Sequence, residues 1–280
     1  MQFFFYFCIK NLSKQNMKRI ITFLLVVVLL FACRSVPFTG RKQFSLMPDQ
    51  TVLSLSLQQY NDFMRQAQLS ANAQQKAMVL KVGQRIANAV TTYYRSHGMS
   101  AELKNFSWEF SLVEDKQANA FCMPGGKIVV YTGILPITQT EAGLAVVIGH
   151  EVAHALAKHA NERLSQQIAV TIGAVGLDLA LSKQSNEVRQ LSQGVFGLGA
   201  QIGVLLPYSR KHEYEADKIG MILMAMAGYN PREAVTFWQR MAQISGGSIP
   251  AFLSTHPSDS KRVQQIQSNM AEALRYYKPQ

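Results

Sequence analysis

The sequence has few cysteines, few charged residues and no internal repeat, and each of these features excludes a class of protein; the missing repeat excludes a solenoid or propeller. Three cysteines in 280 residues exclude a fold held together by several disulfide bonds. Charged side chains make up 16% of the chain and hydrophobic ones 48%, which excludes an intrinsically disordered protein. A chain of this length and apolarity can bury a full core in one or two domains.

Basic residues outnumber acidic ones by 28 to 17. Four of the basic residues precede position 33, so the remainder has 24 basic and 17 acidic side chains, a net charge of +7. This mild excess suits an anionic membrane surface. Because the basic residues form no stripe interleaved with aromatic ones, we expect no nucleic-acid partner.

The first 32 residues have the pattern of a secretory signal. Lys18 and Arg19 precede an apolar run over 20–32, which is too short to cross a bilayer comfortably. We therefore expect residues 1–32 to be a signal peptide, with Met17 as the better start. An uncleaved anchor with an incidental cysteine at its end is the alternative.

The end of this segment, Leu30-Phe31-Ala32-Cys33, resembles a bacterial lipobox. In such signals the cysteine sulfur receives diacylglycerol and the cysteine becomes the new N-terminus. We therefore expect Cys33 to carry a lipid anchor that holds the protein on the periplasmic side of a bacterial cell envelope. By resemblance to envelope sorting rules, Arg34 after the cysteine favours the outer membrane.

A short tether is predicted after the lipidated cysteine. Residues 33–50 contain Pro37, Gly40 and Pro48, which favour turns and interrupt helices and strands. The sequence therefore predicts an irregular tether over 33–50, followed by a single domain over 51–280.

The domain has mostly helical periodicity. Alternating apolar residues over 106–112 and a β-branched run over 127–132 predict two strands, so the fold class is α+β, mostly helical, with one small sheet. The apolar stretches 168–181 and 195–206 are predicted to be buried or interfacial helices. Membrane spans are the weaker alternative, because both stretches are short for that purpose.

The strongest chemical motif is His150-Glu151-Val152-Ala153-His154. Residues four apart on a helix differ by about 40° around its axis, so both imidazoles share one face and can bind one ion. Glu151 lies beside this face and can hold the water bound to the metal. The pattern predicts a zinc site in which the glutamate acts as general base.

A zinc site of this kind needs a third protein ligand. His159 follows His154 by five residues, one short of the metzincin spacing, so it is predicted to be an exposed helix residue instead. Glu162 and Asp178 are candidates that lack a partner pattern.

The segment Glu213-Tyr214-Glu215-Ala216-Asp217 is the better candidate for the third ligand. Glu213 and Asp217 lie four residues apart on one helical face, so one carboxylate can bind the metal while the other hydrogen-bonds a ligand histidine. Glu215 points elsewhere, and the pattern assigns it no role.

Taken together, these motifs resemble those of metallopeptidase family forty-eight, the group of HtpX and the CAAX prenyl proteases. The resemblance covers about residues 37–262 and is closest to the short periplasmic lipoprotein forms of the family. It includes these segments in order: Thr39-Gly40-Arg41, Asn119-Ala120-Phe121, Pro124-Gly125-Gly126, Thr132-Gly133-Ile134-Leu135, His150 to His154, Ser209-Arg210 and Thr255-His256-Pro257.

This resemblance implies a gluzincin fold, with a helical domain and a small antiparallel sheet above the active-site helix. It implies that His150, His154 and Glu213 bind one Zn²⁺ per chain. Glu151 would be the general base, and Asp217 would orient a ligand histidine.

Further residues are candidates on weaker grounds. Asn119, Ala120 and Phe121 are predicted to lie at an edge strand that pairs with the substrate, or to be a plain strand end. In similar members of the family, the histidine that corresponds to His256 lies at the metal and restrains activity. His256 is therefore predicted to restrain activity or to stabilise an oxyanion. The alternative is that it is only the residue that precedes a helix. Arg262 is predicted to neutralise an oxyanion or to be a solvated charge.

The predicted function is that of a zinc-dependent endopeptidase acting on misfolded or misassembled polypeptides of the envelope. The alternative is a zinc-containing chaperone or assembly factor whose proteolysis is suppressed. A cysteine protease is disfavoured, since Cys122 has no activating histidine close in sequence. Envelope proteins or further copies of the chain are candidate partners.

Overall fold

The computed structural model describes residues 33–175, 209–244, 250–256 and 260–279. The predicted signal peptide and most of the two apolar stretches, 168–181 and 195–206, lie outside these residues. Within the described ranges, no helix is both long enough and apolar enough to cross a membrane.

Helices make up most of the structure, in agreement with the predicted fold class. The α-helices are α1 Asp49–Met64, α2 Ala73–Ser96, α3 Leu135–Thr138, α4 Glu141–Leu156, α5 His159–Val175, α6 Arg210–Met226, α7 Glu233–Ile244, α8 Ala251–Thr255 and α9 Ser260–Leu274. Two 3₁₀ turns, Ser100–Leu103 and Thr132–Ile134, flank the sheet region.

Residues 33–44 form a hairpin, which differs from the irregular tether predicted for 33–50. Strand β1 (Cys33–Ser35) pairs antiparallel with β2 (Lys42–Phe44). The turn between them is closed by a hydrogen bond from Val36 N–H to Arg41 O of 2.8 Å. Gly40 occupies the turn with φ 67°, a conformation that glycine adopts at little cost.

The central sheet has three strands, β3 (Glu109–Val113), β4 (Ala120–Met123) and β5 (Lys127–Tyr131), in the order β3-β5-β4. It is mixed, because β5 runs parallel to β3 and antiparallel to β4, so the predicted wholly antiparallel sheet is wrong for one strand pair. The reason is that the chain reverses direction between β3 and β4 and again in the tight turn between β4 and β5, so β5 runs in the same direction as β3. Strand β4 is consequently an edge strand among the described residues.

Helices α4 and α6 cross in direct backbone contact at Gly149 and Gly220. A Cβ atom added at Gly220 would lie 2.9 Å from the carbonyl carbon of Gly149 and 2.9 Å from the nitrogen of His150. This close approach requires glycine at both positions. It brings the N-terminal half of α6 against the histidines of α4.

Candidate metal centre

Helix α4 carries both histidines of the HExxH motif into the interior. Thr140 caps the helix by accepting a hydrogen bond from Gly143 N–H, and the segment from Gly143 to Leu156 is buried throughout. The Nε2 atoms of His150 and His154 lie 3.0 Å apart, and each side chain is 1–2% exposed. The helical spacing thus aims two imidazole nitrogens at one point, as expected for residues four apart.

Helix α6 brings a carboxylate to the same point. Glu213 Oε2 lies 3.3 Å from His150 Nε2, and Glu213 Oε1 lies 3.4 Å from His154 Nε2. His256, which follows α8, places its Nδ1 3.2 Å from both His150 Nε2 and Glu213 Oε1. One donor atom from each of these four residues lies within 4.8 Å of all the others.

The donor set fits a metal ion of zinc size. Ligands at about 2.0–2.1 Å around a tetrahedral Zn²⁺ lie about 3.3 Å from one another. The measured separations of 3.0–3.4 Å match this spacing. Burying four polar groups close together costs free energy unless each group has a partner. A cation bound between them would be that partner.

The protonation states of His154 and Glu213 suit metal binding, whereas His150 must first lose a proton. Burial lowers the pKa of His154 well below its ordinary value, so its imidazole is neutral. Burial alone would raise the pKa of Glu213, but the neighbouring His256 and Arg262 outweigh it and keep the carboxylate ionised. For His150, hydrogen bonds to Asp217 and Glu213 outweigh burial and raise the pKa to about 9. Metal binding at His150 therefore displaces a proton.

Asp217 and Arg262 lie behind the donor set. Asp217 Oδ1 is 2.9 Å from His150 Nδ1, the ring nitrogen that faces away from the other donors. Arg262 is fully buried and donates to Asp217 over 2.8 and 3.0 Å, while its Nη1 lies 2.9 Å from Glu213 Oε2. Arg262 is therefore not a solvated charge, which was one of the two alternatives predicted for it. Its guanidinium contacts two carboxylates instead.

Glu151 lies on the other side of His256. Its Oε1 is 3.3 Å from His256 Nε2, and its carboxylate accepts a hydrogen bond from the backbone of Cys122 on β4. Burial raises the pKa of Glu151. A carboxylate whose pKa is closer to neutrality is a better general base at ordinary pH.

Strand β4 runs past Glu151 as the edge of the sheet. Tyr131 N–H donates to Asn119 O, and the register pairs Phe121 with Val129. Because hydrogen-bonded pairs alternate in an antiparallel ladder, Ala120 and Cys122 turn their backbone groups to the outer edge. In the predicted segment 119–121, the backbones of Asn119 and Phe121 therefore face β5 and that of Ala120 faces outward, while the next residue, Cys122, contacts Glu151.

A cavity of about 440 Å³ opens next to the centre. It is lined by His154, by Cys122 and Pro124 at the end of β4, and by residues of α1 and the β1–β2 hairpin. This volume is within the range of cavities that hold part of a ligand. Of the four donor residues, His154 alone lines it.

Sequence reasoning missed a second buried polar cluster that contacts the first. His159 is fully buried, contrary to the predicted exposed position, and its Nδ1 lies 2.9 Å from His154 Nδ1. Its Nε2 is 2.9 Å from Glu215 Oε2. Arg41 joins this carboxylate to Glu162 by ion pairs of 2.6 and 2.7 Å. Glu215, to which the pattern gave no role, is therefore a member of this cluster.

Signals for this second cluster are weak in the sequence. Arg41 belongs to the Thr39-Gly40-Arg41 segment of the family resemblance, and Glu215 alternates with Glu213 and Asp217. Neither observation predicts that α5 buries His159 against α6. The exposed position was wrong because His159 is buried by contacts with distant residues, such as Glu215, which lies 56 residues away in the sequence.

Comparison with known proteins identifies the family. The model of peptidase family M48 matches residues 73–270. The chain belongs to this family. Membership confirms the family predicted from the motifs and makes the chain a metalloendopeptidase that acts on polypeptides, with a zincin-like fold.

Relatives of known activity include mitochondrial and bacterial enzymes. The chain is 41% identical to mitochondrial metalloendopeptidase OMA1 of Schizosaccharomyces pombe over 61% of this chain and 49% of that protein. It is 30% identical to OMA1 of Saccharomyces cerevisiae over 86% of this chain and 70% of that protein. Metalloprotease LoiP of Escherichia coli is 26% identical over 70% of this chain and 75% of its own length.

These relatives correct one prediction. Six matched relatives are mitochondrial OMA1 enzymes, with identities up to 41%, so the predicted location on the periplasmic side of a bacterial envelope is wrong. The prediction that the substrates are envelope proteins depended on that location, so it is no longer supported. The matched part spans about half of the S. pombe enzyme, so the substrates and partners of the whole relatives are not carried over.

Proposed function

We propose that the protein is a zinc-dependent endopeptidase in which His150, His154 and Glu213 hold the ion and Glu151 is the general base. The observation that carries this proposal is the separation of the three donor groups. Their atoms lie 3.0–3.4 Å apart, which is the spacing of ligands around one tetrahedral zinc ion. Asp217 orients His150 by accepting the proton on its Nδ1.

When bound, zinc supplies a water of lowered pKa and polarises the scissile carbonyl. Glu151 takes the proton of that water and transfers it to the leaving amine. Its raised pKa favours both transfers, because the carboxylate accepts the proton readily and releases it again. Arg262 keeps Glu213 ionised by its contact of 2.9 Å, so that the ligand stays negative.

The substrate chain lies along β4 in this proposal. An extended peptide adds to an open sheet edge through its backbone, so recognition does not depend on every side chain. The outward carbonyl groups of Ala120 and Cys122 offer acceptors at this edge, whereas the N–H of Ala120 is bonded to Asn119 Oδ1 and that of Cys122 to Glu151. The adjoining cavity of about 440 Å³ takes a side chain of the substrate.

The substitution Glu151→Gln tests the mechanism. The amide has nearly the same shape and cannot accept the proton, so zinc content stays at one per chain while peptide cleavage falls. A general base contributes about 10²–10⁴-fold, and we expect a loss in kcat of that size. Zinc is measured by mass spectrometry of the purified protein, and cleavage with an unfolded polypeptide such as casein.

The matched control is Glu114→Gln, which makes the same chemical change at an exposed glutamate. It should leave both zinc content and cleavage unchanged. Cleavage by Glu151→Gln at the rate of the unchanged protein would contradict the mechanism. Absence of zinc in the folded, unchanged protein would contradict the metal assignment.

A second candidate function rests on the position of His256. Its Nδ1 lies among the metal-ligand atoms and its Nε2 lies 3.3 Å from Glu151, so the ring stands between the metal site and the general base. A fourth protein ligand at zinc is typical of structural rather than catalytic sites. In this arrangement the protein is a zinc-containing chaperone or assembly factor with suppressed proteolysis.

The substitution His256→Ala separates the two candidates. If His256 restrains an enzyme, its removal opens the fourth position and raises kcat on casein at unchanged zinc content. If both forms are inactive and both bind casein, the chaperone function is supported. A fall in cleavage without loss of zinc would instead give His256 a direct part in catalysis.

Attachment to a membrane through lipid on Cys33 also stays a proposal. The structure describes this residue as the first of β1, paired with Phe44. The mass of the purified protein tests it, since lipidation adds a diacylglycerol group to the mature chain.

A further inference from the structure

The two histidine ligands of the proposed zinc site have different neighbours behind them. His150 Nδ1 lies 2.9 Å from a carboxylate oxygen of Asp217. His154 Nδ1 lies 2.9 Å from another imidazole nitrogen, Nδ1 of His159. A ligand histidine needs a partner at its second nitrogen, because this contact fixes the ring and determines which nitrogen carries the proton.

The contacts of His159 allow one arrangement of protons. His154 presents Nε2 to the other metal-ligand atoms, so its proton is on Nδ1 and points to His159. His159 must therefore accept with an unprotonated Nδ1. Its own proton is then on Nε2, where Glu215 Oε2 accepts it over 2.9 Å. Every group in this chain of hydrogen bonds has the role that its neighbour requires.

The far end of the chain is held by the β1–β2 hairpin. Arg41 Nε donates to Glu215 Oε2 over 2.6 Å, and the hydroxyl of Thr39 donates to the other oxygen of the same carboxylate. Glu215 thus accepts hydrogen bonds on both of its oxygens, from His159, Arg41 and Thr39. A carboxylate fixed by these donors keeps the proton of His159 on Nε2.

We propose that His159 and Glu215, anchored by Arg41, are positioning residues for the metal ligand His154. They hold its ring and its proton so that the Nε2 lone pair faces the metal, as Asp217 does for His150. This inference rests on the proposed zinc site. It assigns a role to the Thr39-Gly40-Arg41 segment, since the hairpin that contains it anchors one of the metal ligands.

Two substitutions at position 159 test the proposal in the full-length protein. Phenylalanine has the shape of histidine but no acceptor, whereas the Oδ1 atom of asparagine lies near the position of Nδ1 and can accept from His154. We expect His159→Phe to weaken zinc affinity about 10–100-fold, the usual effect of losing such a partner. His159→Asn should retain more of the affinity than His159→Phe.

The matched control is His212→Phe. His212 is buried in the same cluster, stacks on His159 with ring centroids 4.4 Å apart and pairs with Glu162 over 3.0 Å. Its replacement disturbs the packing of the cluster to a similar extent and leaves the contact between His159 and His154 in place. Its zinc affinity should fall much less than that of His159→Phe, because the described contacts of His212 reach His159 and Glu162 and neither ligand histidine.

Zinc affinity is measured by competition with a chromophoric chelator, and the absorption spectrum of the Co²⁺-substituted protein reports the ligand geometry independently of catalysis. The proposal predicts an altered cobalt spectrum for His159→Phe and an unaltered one for His212→Phe. Equal affinities for the unchanged protein and His159→Phe, or equal losses in both Phe variants, would overturn it.

If His159→Phe does not fold, Glu215→Gln gives the same test, because a neutral amide no longer holds the proton of His159 on Nε2. We expect a loss of zinc affinity of about tenfold, and none would overturn the proposal. The outcome is separable from the proposed function. An unchanged protein without zinc defeats the zinc site itself, whereas a zinc-bound protein insensitive to these substitutions defeats only this inference.

Discussion

Replacement of Arg262 by methionine removes a fully buried charge. Arg262 is 0% exposed, donates twice to Asp217 and contacts Glu213, and its guanidinium lies 3.5 Å from the centre of the Trp238 ring. Methionine fills a similar volume without charge. The substitution therefore leaves two buried carboxylates without the cation that compensates them.

The expected loss in the free energy of unfolding follows from this geometry. Removing one partner of a buried ion pair costs about 3–5 kcal/mol. The contact with Trp238 contributes about 1 kcal/mol or less of that loss, because methionine also packs on an aromatic ring. With zinc bound the loss should be smaller than in a chelator, since the ion also compensates the charge of Glu213.

Urea unfolding followed by circular dichroism measures this prediction, with EDTA and with excess zinc. Arg262→Lys should lose part of the stability, because one ammonium group cannot reach both carboxylates as the guanidinium does. Arg275→Met is the control at an exposed position after α9 and should change stability by less than about 0.5 kcal/mol. A loss below about 1 kcal/mol for Arg262→Met in EDTA would refute the reasoning.

Two further predictions concern acid stability and helix packing. Glu162 and Glu215 have pKa values of about 2, because hydrogen bonds from histidine and Arg41 outweigh burial. A carboxylate whose pKa is lowered in the folded state stabilises the fold at pH values above its ordinary pKa of 4.5. This stabilisation is lost as the pH falls towards 2, so the urea midpoints in EDTA should fall over that range. Glu215→Gln should flatten this dependence, and an equally steep one would contradict the assignment. In Gly220→Ala, the added methyl would meet the backbone of Gly149 and His150 at 2.9 Å, so stability should fall by about 1–3 kcal/mol and zinc affinity with it. Unchanged zinc affinity would show that the separation of α4 and α6 does not determine the site.

The parts of the site that depend on local spacing could be predicted from the sequence. His150 and His154 meet because they are four residues apart on one helix, and Glu213 and Asp217 share a face for the same reason. The mostly helical class and two of the central strands were also predictable from periodicity. Strand direction was not, because an alternating pattern is the same for parallel and antiparallel neighbours.

The parts that depend on distant contacts could not be predicted. His159 has the sequence context of an exposed helix residue, but contacts with residues distant in the sequence, Glu215 and His212 among them, bury it. Arg262 likewise resembles a surface charge until α6 supplies two carboxylates. Burial of a charged side chain requires partners that compensate it, and these partners are 45 and 49 residues away in the sequence.

Anomalous diffraction at the zinc absorption edge, from crystals of the purified protein, tests the central claim most directly. We predict one peak, about 2.0–2.2 Å from Nε2 of His150, Nε2 of His154 and a carboxylate oxygen of Glu213. A peak elsewhere, or none at full zinc occupancy in solution, would contradict the assignment of these three residues as the metal ligands.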